Sequence, residues 1–193
     1  MRRTRCSSLA LLLALLFVPA LLAAETTAEK IDRGTALHDQ ERYSEAITIY
    51  REVLAAEPDN EQALFELAYS LSASGAHDEC VSIAQRGLKI AKKLESRFHG
   101  VLGTCLDESG KPEKAAKAYA KGLDRFPKDP LLAFNYAVTE ARLDHHAKAR
   151  KLIKISIQAR PNHASSHWVY ATSLAKENFQ VPSLLAALRF LAL

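Results

Sequence analysis

A period of about 34 residues is the feature that most constrains how this chain can fold. Pro58 and Pro127 lie 69 residues apart, and Pro127 and Pro161 lie 34 residues apart, each within a short polar turn. Between these turns the sequence carries two apolar stretches of about 13 residues, each with the spacing of an amphipathic helix. Each period is therefore predicted to form a pair of helices.

Small residues recur at two fixed places in each period. The place in the second helix is taken by Ala46, Cys80, Ala115 and Ala149, and the place in the first helix by Gly34, Ala68, Gly103, Ala137 and Ala171. Two helices cross closely only if neither carries bulk at the crossing. A single pair cannot bury all of its apolar surface, so successive pairs are expected to stack.

One of the expected turns has no proline. It falls at residues 90–93, where the sequence reads Ile-Ala-Lys-Lys. Because no strong helix breaker is present there, a helix is predicted to continue through these residues.

The units resemble tetratricopeptide repeats, most clearly in EKIDRGTALHDQERYSEAITIYREVLAAEPDN (29–60) and SRFHGVLGTCLDESGKPEKAAKAYAKGLDRFPKD (96–129). The resemblance implies an all-α fold, a right-handed α-solenoid of about five helix-turn-helix repeats over residues 25–193. Repeats 1 to 5 are expected at about 27–60, 61–94, 96–129, 130–163 and 164–193, the last incomplete. Since repeat 5 ends on an apolar segment without a polar cap, either a longer chain or self-association through this C-terminal repeat is expected.

Residues 1–24 have the layout of a secretory signal peptide. Three arginines precede an apolar run that starts at Leu9 and leads to the small residues Ala23 and Ala24. Pro19 interrupts the run, which is shorter than the roughly 20 residues that a membrane-spanning helix needs. Cleavage after Ala23 or Ala24 is predicted, with export to the periplasm or secretion; the alternative is an uncleaved segment that anchors the protein to a membrane.

The charge and the motifs argue against several classes of function. Without residues 1–24 the chain has 23 basic and 22 acidic side chains, and a nucleic-acid partner has no electrostatic support. No GxSxG, HExxH or P-loop motif occurs, so neither an enzyme, a cofactor nor a small-molecule substrate is predicted. His163 and His167 have a helical metal-ligand spacing but lack a third ligand, so no metal site is predicted.

Two cysteines remain after residue 24, Cys80 and Cys105. Cys80 takes a small-residue place in the second helix of repeat 2, and Cys105 lies in the first helix of repeat 3. The two residues could form a disulfide in an oxidising compartment or remain buried free thiols.

The family resemblance also implies a binding surface, since the first helices line the inner face of such superhelices and bind extended or helical peptides. The expected groove residues are Ile31, Thr35, His38, Phe65, Tyr69, Arg97, Thr104, Glu108, Phe134, Val138, Arg142, Trp168, Thr172 and Lys176. Exposed aromatic side chains are good anchors for a partner, although Phe65, Phe134 and Trp168 could instead pack against neighbouring helices.

The sequence therefore predicts an exported scaffold for protein–protein interaction, engaged in the assembly of an envelope complex. Two alternatives stay open. The repeats could be the N-terminal part of a longer enzyme or assembly factor, or the chain could be a self-assembling structural protein.

Overall fold

The structure, a computed structural model, describes residues 25–176, which form nine α helices and no strand. The predicted signal peptide and most of the apolar end of repeat 5 lie outside these residues. The helices are α1 (Thr27–Asp39), α2 (Tyr43–Ala56), α3 (Glu61–Ala73), α4 (His77–Ile90), α5 (Glu95–Glu108), α6 (Pro112–Arg125), α7 (Pro130–Arg142), α8 (His146–Ala159) and α9 (Ala164–Ala175).

The helices are arranged as a right-handed α-solenoid. Each helix packs against the next one along the chain, and the first helices α1, α3, α5, α7 and α9 also contact one another in that order. The second helices α2, α4, α6 and α8 form the outer surface. The first helices of successive repeats thus lie side by side, which is the arrangement that places their side chains in one groove.

Local chemistry explains where the first helices begin. Thr26 and Glu29 form a capping box at the start of α1, and the Asn60 side chain accepts a hydrogen bond from the Ala63 N–H at the start of α3. Asp129 accepts from two backbone N–H groups of α7, whose first residue is Pro130.

The turn inside each helix pair passes through a left-handed residue. Gly75 and Gly110 have φ angles of 83° and 72°, a region that glycine adopts at little cost. Glu41 and Asp144 take the same place in repeats 1 and 4, with φ angles of 62° and 60°. The turn geometry is therefore shared by all four pairs, and in two of them a residue with a Cβ carries the strain.

The small-residue places are where large rings pack across the helix pair. A Cβ at Gly34 would lie 2.6 Å from a ring carbon of Tyr50, and one at Gly103 would overlap the ring of Tyr119. Tyr50 and Tyr119 are almost fully buried within one continuous core. Each glycine is thus needed because the ring of its own repeat occupies the space.

The predicted continuous helix at residues 90–93 is wrong: α4 ends at Ile90 and α5 begins at Glu95. Glu61, at the start of α3, holds the turn in place of a proline. One of its carboxylate oxygens accepts hydrogen bonds from the backbone N–H groups of Lys92, Lys93 and Leu94, at 3.0, 3.0 and 2.6 Å. These three N–H groups have no helical hydrogen-bond partner, and the carboxylate at the start of α3 accepts from them instead.

Replacing Glu61 with glutamine is expected to destabilise this turn in a pH-dependent way. Burial opposes ionisation of Glu61, but the three backbone donors outweigh it and lower the pKa below 4.5. The unfolded chain therefore takes up a proton first as the pH falls, and the stability that Glu61 contributes is present above its unfolded pKa and lost as the pH falls through its folded pKa.

Urea unfolding of the wild type and of Glu61→Gln at neutral pH and at acid pH measures this contribution. The two proteins should differ by about 1–3 kcal/mol at neutral pH and converge in acid. A difference that does not depend on pH would contradict the role of the carboxylate.

Candidate functional site

The first helices α1, α3, α5 and α7 line a groove with a cavity of about 370 Å³. No residue of α2, α4, α6 or α8 lines it. The volume lies in the range of about 300–1,000 Å³ that ligand pockets occupy. The lining residues are Thr35, Phe65, Glu66, Tyr69, Ser72, Ser96, Arg97, Gly100, Val101, Thr104, Asp129, Leu131, Leu132 and Asn135.

Gly100 is the reason for the open space. In the repeat register it takes the place that Phe65, Phe134 and Trp168 take in repeats 2, 4 and 5. A Cβ at Gly100 would meet only Leu132, at 3.7 Å, so the position faces open volume and not a packed neighbour. The cavity therefore lies where repeats 2, 4 and 5 each carry an aromatic side chain and repeat 1 carries Ile31.

Four of the predicted groove residues form one continuous stack. The His38 and Tyr69 rings lie 4.7 Å apart, and the Tyr69 and Phe65 rings lie 6.0 Å apart and nearly parallel. The Arg97 guanidinium lies 4.7 Å from the centre of the Phe65 ring. Tyr69 keeps 50% of its surface exposed, whereas Phe65 is buried. The stack fixes the rings in place and presents Tyr69 to the solvent.

The polar groups around the cavity differ in what they can still bind. Burial raises the pKa of Glu66, and the nearby Arg97 opposes that shift. The Asp129 carboxylate is already engaged by backbone N–H groups of α7 and by the Ser96 hydroxyl. The side-chain amide of Asn135 forms no hydrogen bond with any other residue between 25 and 176, so it is available to the backbone of a bound peptide.

The other predicted residues lie in different surroundings. Ile31 is buried in the core with 3% of its surface exposed. Phe134 is half-buried and packs edge-on against His163, with ring centres 5.1 Å apart. Arg142, Trp168 and Lys176 line a second, smaller cavity of about 240 Å³ between α7, α8 and α9. Of the fourteen predicted residues, five line the main cavity and five line the second one, whereas Ile31, His38, Glu108 and Phe134 line neither.

Arg142 forms an ion pair within the chain. Its guanidinium lies 2.9 Å from the carboxylate of the buried Asp107, which also accepts a hydrogen bond from the Thr139 hydroxyl at 3.0 Å. Trp168 remains 53% exposed. The indole therefore presents apolar surface to the solvent at the second cavity.

Sequence reasoning missed nine of the fourteen residues that line the main cavity, among them Gly100, Leu131 and Asn135. The repeat register contained the signal for two of them, since Gly100 aligns with Phe65 and Leu131 aligns with Arg97. Leu131 is 53% exposed at the rim of the cavity. The predicted set took only some of the residues from these two register positions. Including every residue at these positions would have added Gly100 and Leu131.

A disulfide joins Cys80 of α4 to Cys105 of α5, with the two Cα atoms 6.2 Å apart. Both side chains are fully buried. The bond crosses the junction between repeats 2 and 3, the same junction that Glu61 holds at the surface. It lies directly behind α5, the helix that carries Arg97, Gly100 and Thr104 of the groove.

Residues 25–176 show neither a metal-binding cluster nor a membrane-spanning helix. These residues contain no group of three or more histidine, cysteine, aspartate or glutamate side chains arranged to hold a metal ion. In the same range, none of the helices has the length and apolar character required to cross a membrane.

Comparison with known proteins identifies the repeat. Tetratricopeptide repeat families match residues 37–105 and 101–176. Cellulose synthase operon protein C of Pseudomonas fluorescens (strain SBW25) is 33% identical over 129 residues, which cover 63% of this chain and 10% of that protein. A small glutamine-rich tetratricopeptide repeat-containing protein 2 of Mycosarcoma maydis is 28% identical over 101 residues, covering 52% of this chain and 28% of that protein. The chain thus spans only a minor part of both relatives.

Solved structures show the same fold. MamA superposes with a TM-score of 0.71 at 15% identity, over 87% of this chain and 91% of that one. YrrB, described as a tetratricopeptide repeat protein with an unusual peptide-binding site, superposes with a TM-score of 0.65 at 14% identity, over 87% and 86% of the two chains. The chain belongs to the tetratricopeptide repeat family and is a helical-repeat scaffold with a protein-interaction function.

Proposed function

We propose that this scaffold is not an enzyme and binds a peptide segment of a protein partner in the groove between α3, α5 and α7, with one large apolar side chain of the partner in the space above Gly100. The observation that carries the proposal is the open space at Gly100, a position where repeats 2, 4 and 5 each carry an aromatic ring. The stacked Tyr69 and the rim residue Leu131 flank this space with exposed apolar surface.

The physics of the site favours such a ligand. Rings held by stacking lose little conformational entropy when they are covered, so the area they bury contributes efficiently to affinity. The free amide of Asn135 can pair with the backbone of an extended peptide. The peptide-binding description of YrrB, a structural neighbour, agrees with this use of the fold.

Filling the space is expected to abolish peptide binding. Peptides are selected from a phage-displayed library of random linear sequences on residues 25–193, and their dissociation constants are measured for the wild type, Gly100→Phe and Gly100→Ala. Gly100→Phe fills the space with a ring and should weaken binding at least about tenfold, a loss of about 1.4 kcal/mol. Gly100→Ala adds only a methyl group with room around it, so it serves as the matched control.

A second pair of variants tests the wall of the groove. Tyr69→Ala should weaken the same peptides, whereas Lys117→Ala on the outer helix α6 should not. Selected peptides that bind Gly100→Phe and Tyr69→Ala as tightly as the wild type would show that the groove is not the site.

We further propose that the protein is exported and acts in the assembly of an envelope complex. Two features support export: the signal-like residues 1–24, and the buried disulfide between Cys80 and Cys105, a bond that persists in oxidising compartments. Expression of the full chain, followed by N-terminal sequencing of the protein recovered from the periplasm or medium, tests this. A new N-terminus at Ala24 or Glu25 is expected, and recovery of the intact chain only from the cytoplasm would contradict export.

The alternative that these repeats belong to a longer protein is favoured by one observation. The chain spans only 10% and 28% of the two curated relatives it matches. Reading the genomic frame beyond Leu193 distinguishes a complete scaffold from the repeat region of a larger enzyme or assembly factor.

A further inference from the structure

The near-neutral charge of the chain conceals two halves of opposite sign. Residues 25–110 carry 9 basic and 16 acidic side chains, a net charge of −7. Residues 111–176 carry 13 basic and 5 acidic side chains, a net charge of +8. The change of sign falls within repeat 3, between α5 and α6. A solenoid is extended, so this segregation along the sequence is also a segregation in space.

The outer surface shows the change of sign most clearly. One outward position of the second helices is occupied, from repeat 1 to repeat 4, by Glu45, Glu79, Lys114 and Lys148, and another by Thr48, Ser82, Lys117 and Lys151. The same two structural positions are therefore acidic or neutral on α2 and α4 and are lysine on α6 and α8.

Most of these lysines are not used inside the chain. Lys114, Lys117, Lys121 and Lys151 are exposed, and none of them forms a salt bridge with another residue of the described range. Lys148, by contrast, lies 2.8 Å from the carboxylate of Glu140. We call the four unpaired residues Lys114, Lys117, Lys121 and Lys151 the lysine surface.

Repeat 1 presents the opposite charge. Asp32, Asp39 and Glu52 are exposed on α1 and α2 and form no salt bridge within residues 25–176. They differ in this respect from Glu45, whose carboxylate lies 2.7 Å from the Arg42 guanidinium. We call Asp32, Asp39 and Glu52 the acidic surface.

We propose that the lysine surface of one copy of this chain binds the acidic surface of a second copy. The two surfaces lie toward opposite ends of the described solenoid, so they meet between molecules. In an antiparallel pair each copy contributes both surfaces, and the contact forms twice and closes a dimer. Neither surface includes a residue that lines the groove cavity.

An anionic membrane fits the charges less well than a second copy. The half of the molecule with a net charge of −7 would be repelled by the same lipid surface that attracts the lysines. A second copy supplies the complementary charge at both ends, and like-charged alignments of the two molecules are disfavoured.

The test is the mass of residues 25–193 in solution at low and high ionic strength. The Debye length falls from about 30 Å at 0.01 M salt to about 3 Å at 1 M, so association through these surfaces should be present at low salt and lost at high salt. The charge-reversal variant Lys114→Glu/Lys117→Glu/Lys151→Glu and the variant Asp32→Lys/Asp39→Lys/Glu52→Lys should each weaken self-association at least about tenfold.

A mixture of the two variants is the decisive measurement. In each variant alone, the two surfaces carry charge of the same sign and repel each other. In the mixture, the acidic surfaces of one variant face the basic surfaces of the other, so the two variants should associate with each other. The control variant Lys89→Glu/Lys128→Glu/Lys176→Glu changes the net charge equally at exposed positions outside both surfaces and should associate like the wild type. A wild type that is monomeric at low salt, a control variant that dissociates as the lysine variant does, or binding of anionic vesicles by the wild type without salt-sensitive self-association would each overturn the proposal.

Discussion

Replacing Tyr119 with alanine is expected to lower the free energy of unfolding by about 3–5 kcal/mol. The Tyr119 side chain is 2% exposed, its ring lies against Gly103, and its hydroxyl lies 3.0 Å from the Thr104 hydroxyl. Removing the ring leaves a cavity beside a glycine, which has no side chain to fill it. Urea unfolding followed by circular dichroism gives the free energy for each variant.

Three further variants divide this loss among its causes. Tyr119→Phe keeps the ring and should cost only about 0.5–1.5 kcal/mol, because the Thr104 hydroxyl still has the Gly100 carbonyl as a partner. The matched control Tyr69→Ala removes a half-exposed ring and should cost less than Tyr119→Ala. Gly103→Leu/Tyr119→Ala should be more stable than the sum of its single changes predicts, because the leucine occupies the vacated space. Additive losses would show that Gly103 and Tyr119 do not share that space.

The helix pairs were predictable because their determinants are local. Register positions such as Gly34 and Gly103, and the proline turns at Pro58 and Pro127, repeat in the sequence itself. The turn after Ile90 was not predictable in this way. The group that stabilises it, the Glu61 carboxylate, lies 31 residues before the first N–H group that it binds.

The groove was predictable only in part. The register indicated the first helices, and His38, Phe65, Tyr69 and Arg97 do meet in one stack. The cavity itself depends on the absence of a side chain at Gly100, which a search for aromatic and charged residues passes over. Arg142 has an intramolecular partner, Asp107, that only the packing of α5 against α7 reveals.

The variant Cys80→Ala/Cys105→Ala is expected to be about 3.5 kcal/mol less stable than the oxidised wild type. The disulfide closes a loop with a sequence separation of 25 residues, and closing a loop of that length restricts the unfolded chain by about this amount. Alanine occupies the register position of Cys80 in repeats 1, 3 and 4, as Ala46, Ala115 and Ala149, so the substitution itself adds little strain.

The reduced wild type is the control for this comparison, and it should unfold at nearly the same urea concentration as the double-alanine variant. Equal stability of the oxidised protein and the variant would mean that the bond contributes nothing to the fold.

Glu61 and the disulfide hold one junction, so their contributions are also expected to depend on each other. Glu61→Gln should cost more in the absence of the disulfide than in its presence, because only then is the carboxylate the main restraint on the turn that positions α5 and the groove.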